Sequence, residues 1–283
     1  MAVSPSLALT LAGGRLLGYA EYGDPNGTPV VSFHGWPGSQ AQTARYDDAA
    51  KAEGVRLIAP ERPGIGLSDP RPGASLHTHI DDVALLLDAL EIDSLGVLGV
   101  SGGGPYALAA AALLPDRVSR VALVSALAPG SMGETRLIRA TGWLGIHARS
   151  LFRPGFGAAA LFARFDPPHA VGLAFDTLPP CDKQIVADPF IRELSIADAQ
   201  QAFLQGGRGL RDDAVSLLSE PEIDLSAIIA PVNLWHGDAD TIVPIATGRR
   251  NEAQLRDVTA TWLPGEGHYL VIPRAPEILR VFR

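Results

Sequence analysis

Short apolar runs alternate with amphipathic or alanine-rich segments along most of this chain. Residues Val30–Phe33, Arg56–Ala59, Leu95–Val100, Val118–Ser125, Pro231–Trp235 and Ala260–Leu263 are apolar or β-branched runs of strand length, bounded by turn residues. Between them, His77–Leu90 carries Ile80, Val83, Leu87 and Leu90 at helical spacing, and Pro105–Leu114 reads as a helix with proline in its first turn. Leu16–Glu21 predicts an antiparallel opening that turns within Gly23–Gly27. Strand-then-helix alternation of this kind is the signature of an α/β chain, a mostly parallel sheet with helices on both faces.

The alternation stops after Pro129 and resumes at Ala230–Pro231. The intervening stretch carries helical patches broken by proline and glycine, at Thr135–Gly142, Phe156–Phe165, Asp182–Ile196 and Asp212–Leu218. Residues 1–130 and 227–283 therefore read as the core, and 131–226 as an inserted helical cap. A second independent domain is the competing reading, disfavoured because so broken a segment would build a poor core alone.

Candidate chemistry begins at Gly99–Gly103, where Ser101 lies between a strand and a helix. So tight a turn exposes the hydroxyl and leaves no room for side chains two residues to either side. A serine needs a base, and the base needs an acid to orient it. Asp240 follows the strand ending at Trp235, and His268 follows the strand ending at Leu263. Both sit just past carboxyl ends of strands, where open α/β sheets place their chemistry. Asp238 follows the same strand and competes as the acid; accepting N–H groups within the turn is the other job open to it. The glycine-rich exit of Val30–Phe33 would bring the Trp36 N–H to the site beside that of Gly102, forming an oxyanion hole. His34 reads as a brace for that loop.

With these elements in place the chain resembles the α/β-hydrolase superfamily, through His34–Gly38, Ala59–Ser68, the serine turn, His236–Asp240 with Pro244, and Gly265–His268. The resemblance implies an α/β-hydrolase fold, with Ser101 as nucleophile, Asp240 as acid and His268 as base. It implies a serine hydrolase, with ester cleavage through an acyl-enzyme foremost. Carbon–carbon bond hydrolases, proline iminopeptidases, perhydrolases and hydrolase-like receptors of small ligands share the triad and stay open. The cap carboxylates Asp182, Glu193 and Asp198 are what an iminopeptidase could offer a free amine. Epoxide hydrolases and haloalkane dehalogenases resemble the chain in the His-Gly-x-Pro loop but use aspartate where Ser101 stands. Trp143, Phe152, Phe162 and Tyr269 are the expected apolar pocket residues, favouring small to medium neutral substrates.

Composition narrows the partners. The 283 residues are 47% hydrophobic with a formal net charge of −8, against nucleic acid or an anionic membrane as partner. One cysteine, Cys181, gives no internal disulfide. The N-terminus lacks a basic region and a long apolar run, so cytoplasm is the expected location and a small molecule the expected partner. His77, His79, Asp81 and Asp82 superficially resemble a metal motif, but read as the solvated face of a helix; no metal and no cofactor is expected.

Overall fold

The computed structural model describes residues 3–129, 160–218 and 223–283. Eight strands form one sheet: β1 (Leu7–Thr10), β2 (Leu16–Gly23), β3 (Thr28–Phe33), β4 (Val55–Pro60), β5 (Leu95–Val100), β6 (Val118–Val124), β7 (Val232–Gly237) and β8 (Val258–Leu263). Their spatial order is β1-β2-β4-β3-β5-β6-β7-β8. The β1–β2 and β2–β4 pairs are antiparallel and every other pair is parallel. This is the mostly parallel sheet with an antiparallel opening that the apolar runs predict.

Successive residues on the central strands feed opposite faces, as the period of two requires. Val31, Phe33, Ile58 and Val97 pack under α2 (Leu76–Ala89) and α3 (Gly104–Leu113). Val30, Leu57, Ala59, Leu98 and Val100 belong to the opposite face with α1 (Asp47–Glu53) and the C-terminal helix Val271–Leu279. All six residues of β5 are buried, so a continuous apolar run is needed there rather than an alternating one. Helix α3 is buried from Gly104 through Ala111, which explains its alanine-rich, non-amphipathic composition.

Between β6 and β7 the described residues are helical at 160–165 and in α4 (Pro167–Asp176), α5 (Pro180–Val186), α6 (Pro189–Ala202) and α7 (Arg208–Leu218). The single helix expected over Asp182–Ile196 is in fact two. Asp188 accepts from the Phe190 N–H at 2.8 Å and Pro189 opens α6, a local stop-and-start. Helix α4 is not anticipated by the sequence pattern. Val171, Phe175, Leu178, Val186 and Ile191 from these helices cluster with Ile242, Tyr269 and Ile272 of the core segments. The expected helix at Thr135–Gly142, and the first residues of that at Phe156–Phe165, lie outside the described residues. The last two helices, α8 (Ile245–Gln254) and α9 (Val271–Leu279), follow β7 and β8.

Candidate active site

Ser101 follows β5 directly, in a short 3₁₀ turn that leads into α3. Its φ is +53°, in the left-handed region, which costs a residue with a side chain roughly 1–3 kcal/mol. The surroundings enforce that conformation: the Ser101 carbonyl accepts from the Leu127 N–H at 2.9 Å, and the flanking glycines have no room for a side chain. A Cβ on Gly103 would lie 2.0 Å from the Phe33 carbonyl oxygen, and one on Gly99 would lie 2.7 Å from the Ala107 Cβ. The close approach of β3 to the turn is thus what requires glycine here.

The same approach brings the oxyanion-hole candidates together. A Cβ on Gly102 would come within 2.9 Å of the Trp36 backbone nitrogen, and one on Gly35 within 3.4 Å of the Ser101 Cβ. The loop carrying Trp36 is held from below by Arg62, which donates to the carbonyls of His34 at 3.0 Å and Gly35 at 2.8 Å. Arg62 is buried and also pairs through Nε with Asp213 of α7 at 2.9 Å. The Trp36 indole donates to the Leu210 carbonyl of the same helix at 2.9 Å. His34 lies wholly within this brace, and burial keeps its imidazole well below its ordinary pKa.

Asp240 follows β7 in a turn that uses both its oxygens. Oδ1 accepts from the Ile242 and Val243 N–H groups, each at 2.8 Å, and Oδ2 lies 2.8 Å from His268 Nδ1. Burial alone would raise the Asp240 carboxyl, but His268 and the Val243 N–H outweigh it and hold the pKa below the ordinary value. Burial would likewise depress His268; the Asp240 carboxylate, with Asp182 beyond it, outweighs that and holds the imidazole above 6.5. Asp238 is exposed and accepts from the Gly265 N–H at 2.7 Å. His236 Nε2 lies 2.9 Å from the Val243 carbonyl, and its ring packs beside Trp262.

Ser101, His268, Trp36 and Tyr269 line one cavity of about 370 Å³. Of the expected pocket residues, Tyr269 is in the lining, while Trp143 and Phe152 fall outside the described residues. Phe162 is a correction: it is 42% exposed and its neighbour Ala163 lines the cavity instead. A step of one residue, about 100° around the helix, separates inward from outward positions there, and the pattern alone gives no phase for so short a segment. Val171, Phe175 and Leu178, which sequence reasoning missed, supply apolar wall from α4 and the turn after it.

The expected solvated face of α2 is also corrected. His79 and Asp82 are buried, His79 against the rings of Phe33 and Tyr106, and Asp82 paired with Arg15 and with Arg71 at 2.8 Å. Among the described residues, no group of three or more His, Cys, Asp or Glu is arranged to hold a metal ion. Nor, among them, is any helix long and apolar enough to cross a membrane.

Comparison with known proteins agrees with this architecture. A family model described as alpha/beta hydrolase fold matches residues 28–146. A non-heme chloroperoxidase from Streptomyces lividans is 29% identical over 255 residues, 87% of each chain. An alpha/beta hydrolase fold protein from Nakamurella multipartita superposes with a TM-score of 0.68 at 25% identity, over 98% of this chain and 99% of that one. A hydrolase from Pseudomonas aeruginosa PA01 gives a TM-score of 0.72 at 19% identity, over 99% of both chains. The strand order, the strained serine between β5 and α3, and these matches have one common explanation: the chain has the α/β-hydrolase fold.

Proposed function

We propose that the protein is a serine hydrolase that cleaves small to medium neutral carboxylic esters through an acyl-enzyme. The observation that carries this reading is the 2.8 Å contact between His268 Nδ1 and Asp240 Oδ2, in the cavity lined by Ser101. Asp240 then fixes the tautomer with hydrogen on Nδ1 and leaves Nε2 as the base. His268 takes the Ser101 proton as Oγ attacks the ester carbonyl, and the oxyanion is held by the Trp36 and Gly102 N–H groups. The imidazolium gives its proton to the departing alcohol. The same imidazole then activates water, which attacks the acyl-enzyme and releases the acid with Ser101 restored.

Residues 131–226 act in this reading as a cap that shapes the cavity. Support comes from the bonds its described helices make to the site loops: Asp182 to His268, Asp198 to Ser39, Leu210 to Trp36 and Asp213 to Arg62. Those bonds also occupy two of the carboxylates that an iminopeptidase would turn toward an amine. A second reading is favoured by the name of the Streptomyces lividans relative: hydrogen peroxide replaces water at the acyl-enzyme and a peracid is released. A panel of p-nitrophenyl esters of increasing acyl length tests the main reading. Multiple turnover on short and medium acyl chains, abolished by Ser101→Ala, is the expected result. Cleavage limited to a single turnover would instead indicate a receptor, and peracid formation in peroxide would indicate the second reading.

A further inference from the structure

The cavity beside Ser101 has a polar end for which hydrolysis itself has no use. Arg45, Tyr46, Ser195, Asp198 and Tyr269 all line it, together with an apolar wall that includes Val171 and Phe175, the latter edge-on to the Tyr269 ring. The Arg45 side chain is 9% exposed; Nη2 donates to Ser195 Oγ at 3.0 Å and stands 3.8 Å from Asp198 Oδ2, while its Nε is buried with no hydrogen-bond partner. Asp198 Oδ1 is taken by Ser39, which donates from its backbone N–H at 2.7 Å and from its hydroxyl at 2.8 Å.

The two tyrosines stand out in this group. Tyr46 is only 3% exposed and Tyr269 is half-buried. No hydrogen bond joins either phenol hydroxyl to another described residue. Burial pushes the Tyr46 phenol up to about 12 and that of Tyr269 in the same direction, so both are neutral O–H donors at physiological pH. Each senses the charges of Arg45 and Asp198, and Tyr46 senses Tyr269, which makes them one electrostatic cluster. Neither hydroxyl is sealed among the buried, unpartnered polar atoms, and both residues line the cavity, so the two O–H groups are open to it. Beside the Arg45 guanidinium and in the cavity that Ser101 lines, they are placed to donate to an acceptor supplied by a ligand.

The chemistry of that acceptor follows from charge. Asp198 already balances Arg45, so a second carboxylate would be buried beside a like charge, and a cation would be buried beside Arg45. An uncharged oxygen accepts from phenol and guanidinium without either penalty. We propose that this end of the cavity recognises an ester bearing a neutral oxygen acceptor, a keto, hydroxyl or ether oxygen, held by the hydroxyls of Tyr46 and Tyr269 and by Arg45. The inference rests on the reading of Ser101 as an ester-cleaving nucleophile.

The test is a set of matched esters in which a methylene beyond the α carbon is replaced by a keto, hydroxymethine or ether group. One series varies the acyl chain and one the alcohol, each with its alkyl parent and its ω-carboxylate, with rates normalised to alkaline hydrolysis. In at least one series a neutral oxygenated ester exceeds its alkyl parent in kcat/KM by about 10- to 100-fold, as expected for a site built around hydrogen bonds, and exceeds the carboxylate. Tyr46→Phe, Tyr269→Phe and Arg45→Met each narrow that ratio. Alkyl parents equal to or better than every oxygenated analogue in both series, or a preference for the carboxylate, overturns the inference from the wild-type protein alone. So does a ratio unchanged in all three variants. If Ser101 still reacts with a fluorophosphonate in those cases, the hydrolase reading survives; if no ester is cleaved and Ser101 does not react, both readings fall together.

Discussion

The Asp182 carboxylate in α5 accepts a hydrogen bond from the backbone N–H of His268 at 2.9 Å. Its other oxygen accepts from the Tyr269 N–H at 2.8 Å, and a Cβ on Gly267 would lie 2.3 Å from the carboxylate. The backbone that carries His268, the proposed base, is therefore fixed from the helices between β6 and β7, not from the sheet alone. We predict that Asp182→Asn, which keeps one acceptor and turns an amide N–H toward the other donor, lowers kcat by about tenfold. It should also move the kinetic midpoint to lower pH, because Asp182 is one of the charges that raise His268. Steady-state kinetics across pH, with a melting curve to establish folding, check this; an unchanged kcat and midpoint would make the contact purely incidental to catalysis.

Asp240 and Asp238 leave the same turn but do different work. With Oδ2 against His268, Asp240→Asn should favour the wrong imidazole tautomer and cut kcat by about 10³- to 10⁴-fold. Asp238→Asn should leave kcat within a few-fold and cost about 1 kcal/mol of stability, since it weakens the bond from the Gly265 N–H. The opposite ranking in kcat, with both variants folded, would transfer the acid role to Asp238.

Activity should rise with pH through a single ionisation whose midpoint lies above 6.5. His268 must be neutral to accept the Ser101 proton, and its folded-state pKa is raised, so activity is lost as pH falls through that raised value. Asp240 is held below its ordinary pKa and stays ionised across this range. For stability the sign is reversed: the charged His268–Asp240 pair contributes fully below the unfolded histidine pKa, and that contribution fades as pH rises through the folded one. The pH dependence of kcat/KM measures the free-enzyme ionisation, and a midpoint at or below 6.5 would count against this electrostatic account.

Most of the core was legible because its signals are local. The run Leu95–Val100 is buried on both faces and followed at once by glycines, so strand, turn and helix could be read within twenty residues. The placement of Ser101, Asp240 and His268 was legible for the same reason, each residue lying just past a readable strand. What was missed depends on partners far away in the chain. His79 and Asp82 looked solvated because Phe33 of β3, Tyr106 of α3 and Arg15 just before β2 are brought to them by the fold, not by α2. Asp182 and Asp198 looked like spare carboxylates because their donors, His268 and Ser39, lie 86 and 159 residues away. The break between α5 and α6 is a different case: Asp188 followed by Pro189 is a helix start visible in the sequence, overridden there by the apolar spacing on either side.

The central claim is that Ser101 is the nucleophile, activated by His268. Intact-mass and peptide mapping after treatment with a fluorophosphonate test it most directly. We predict one adduct per chain, on the peptide containing Ser101, absent from Ser101→Ala and formed far more slowly in His268→Ala. An adduct on another residue, or undiminished ester turnover in folded Ser101→Ala, would contradict it.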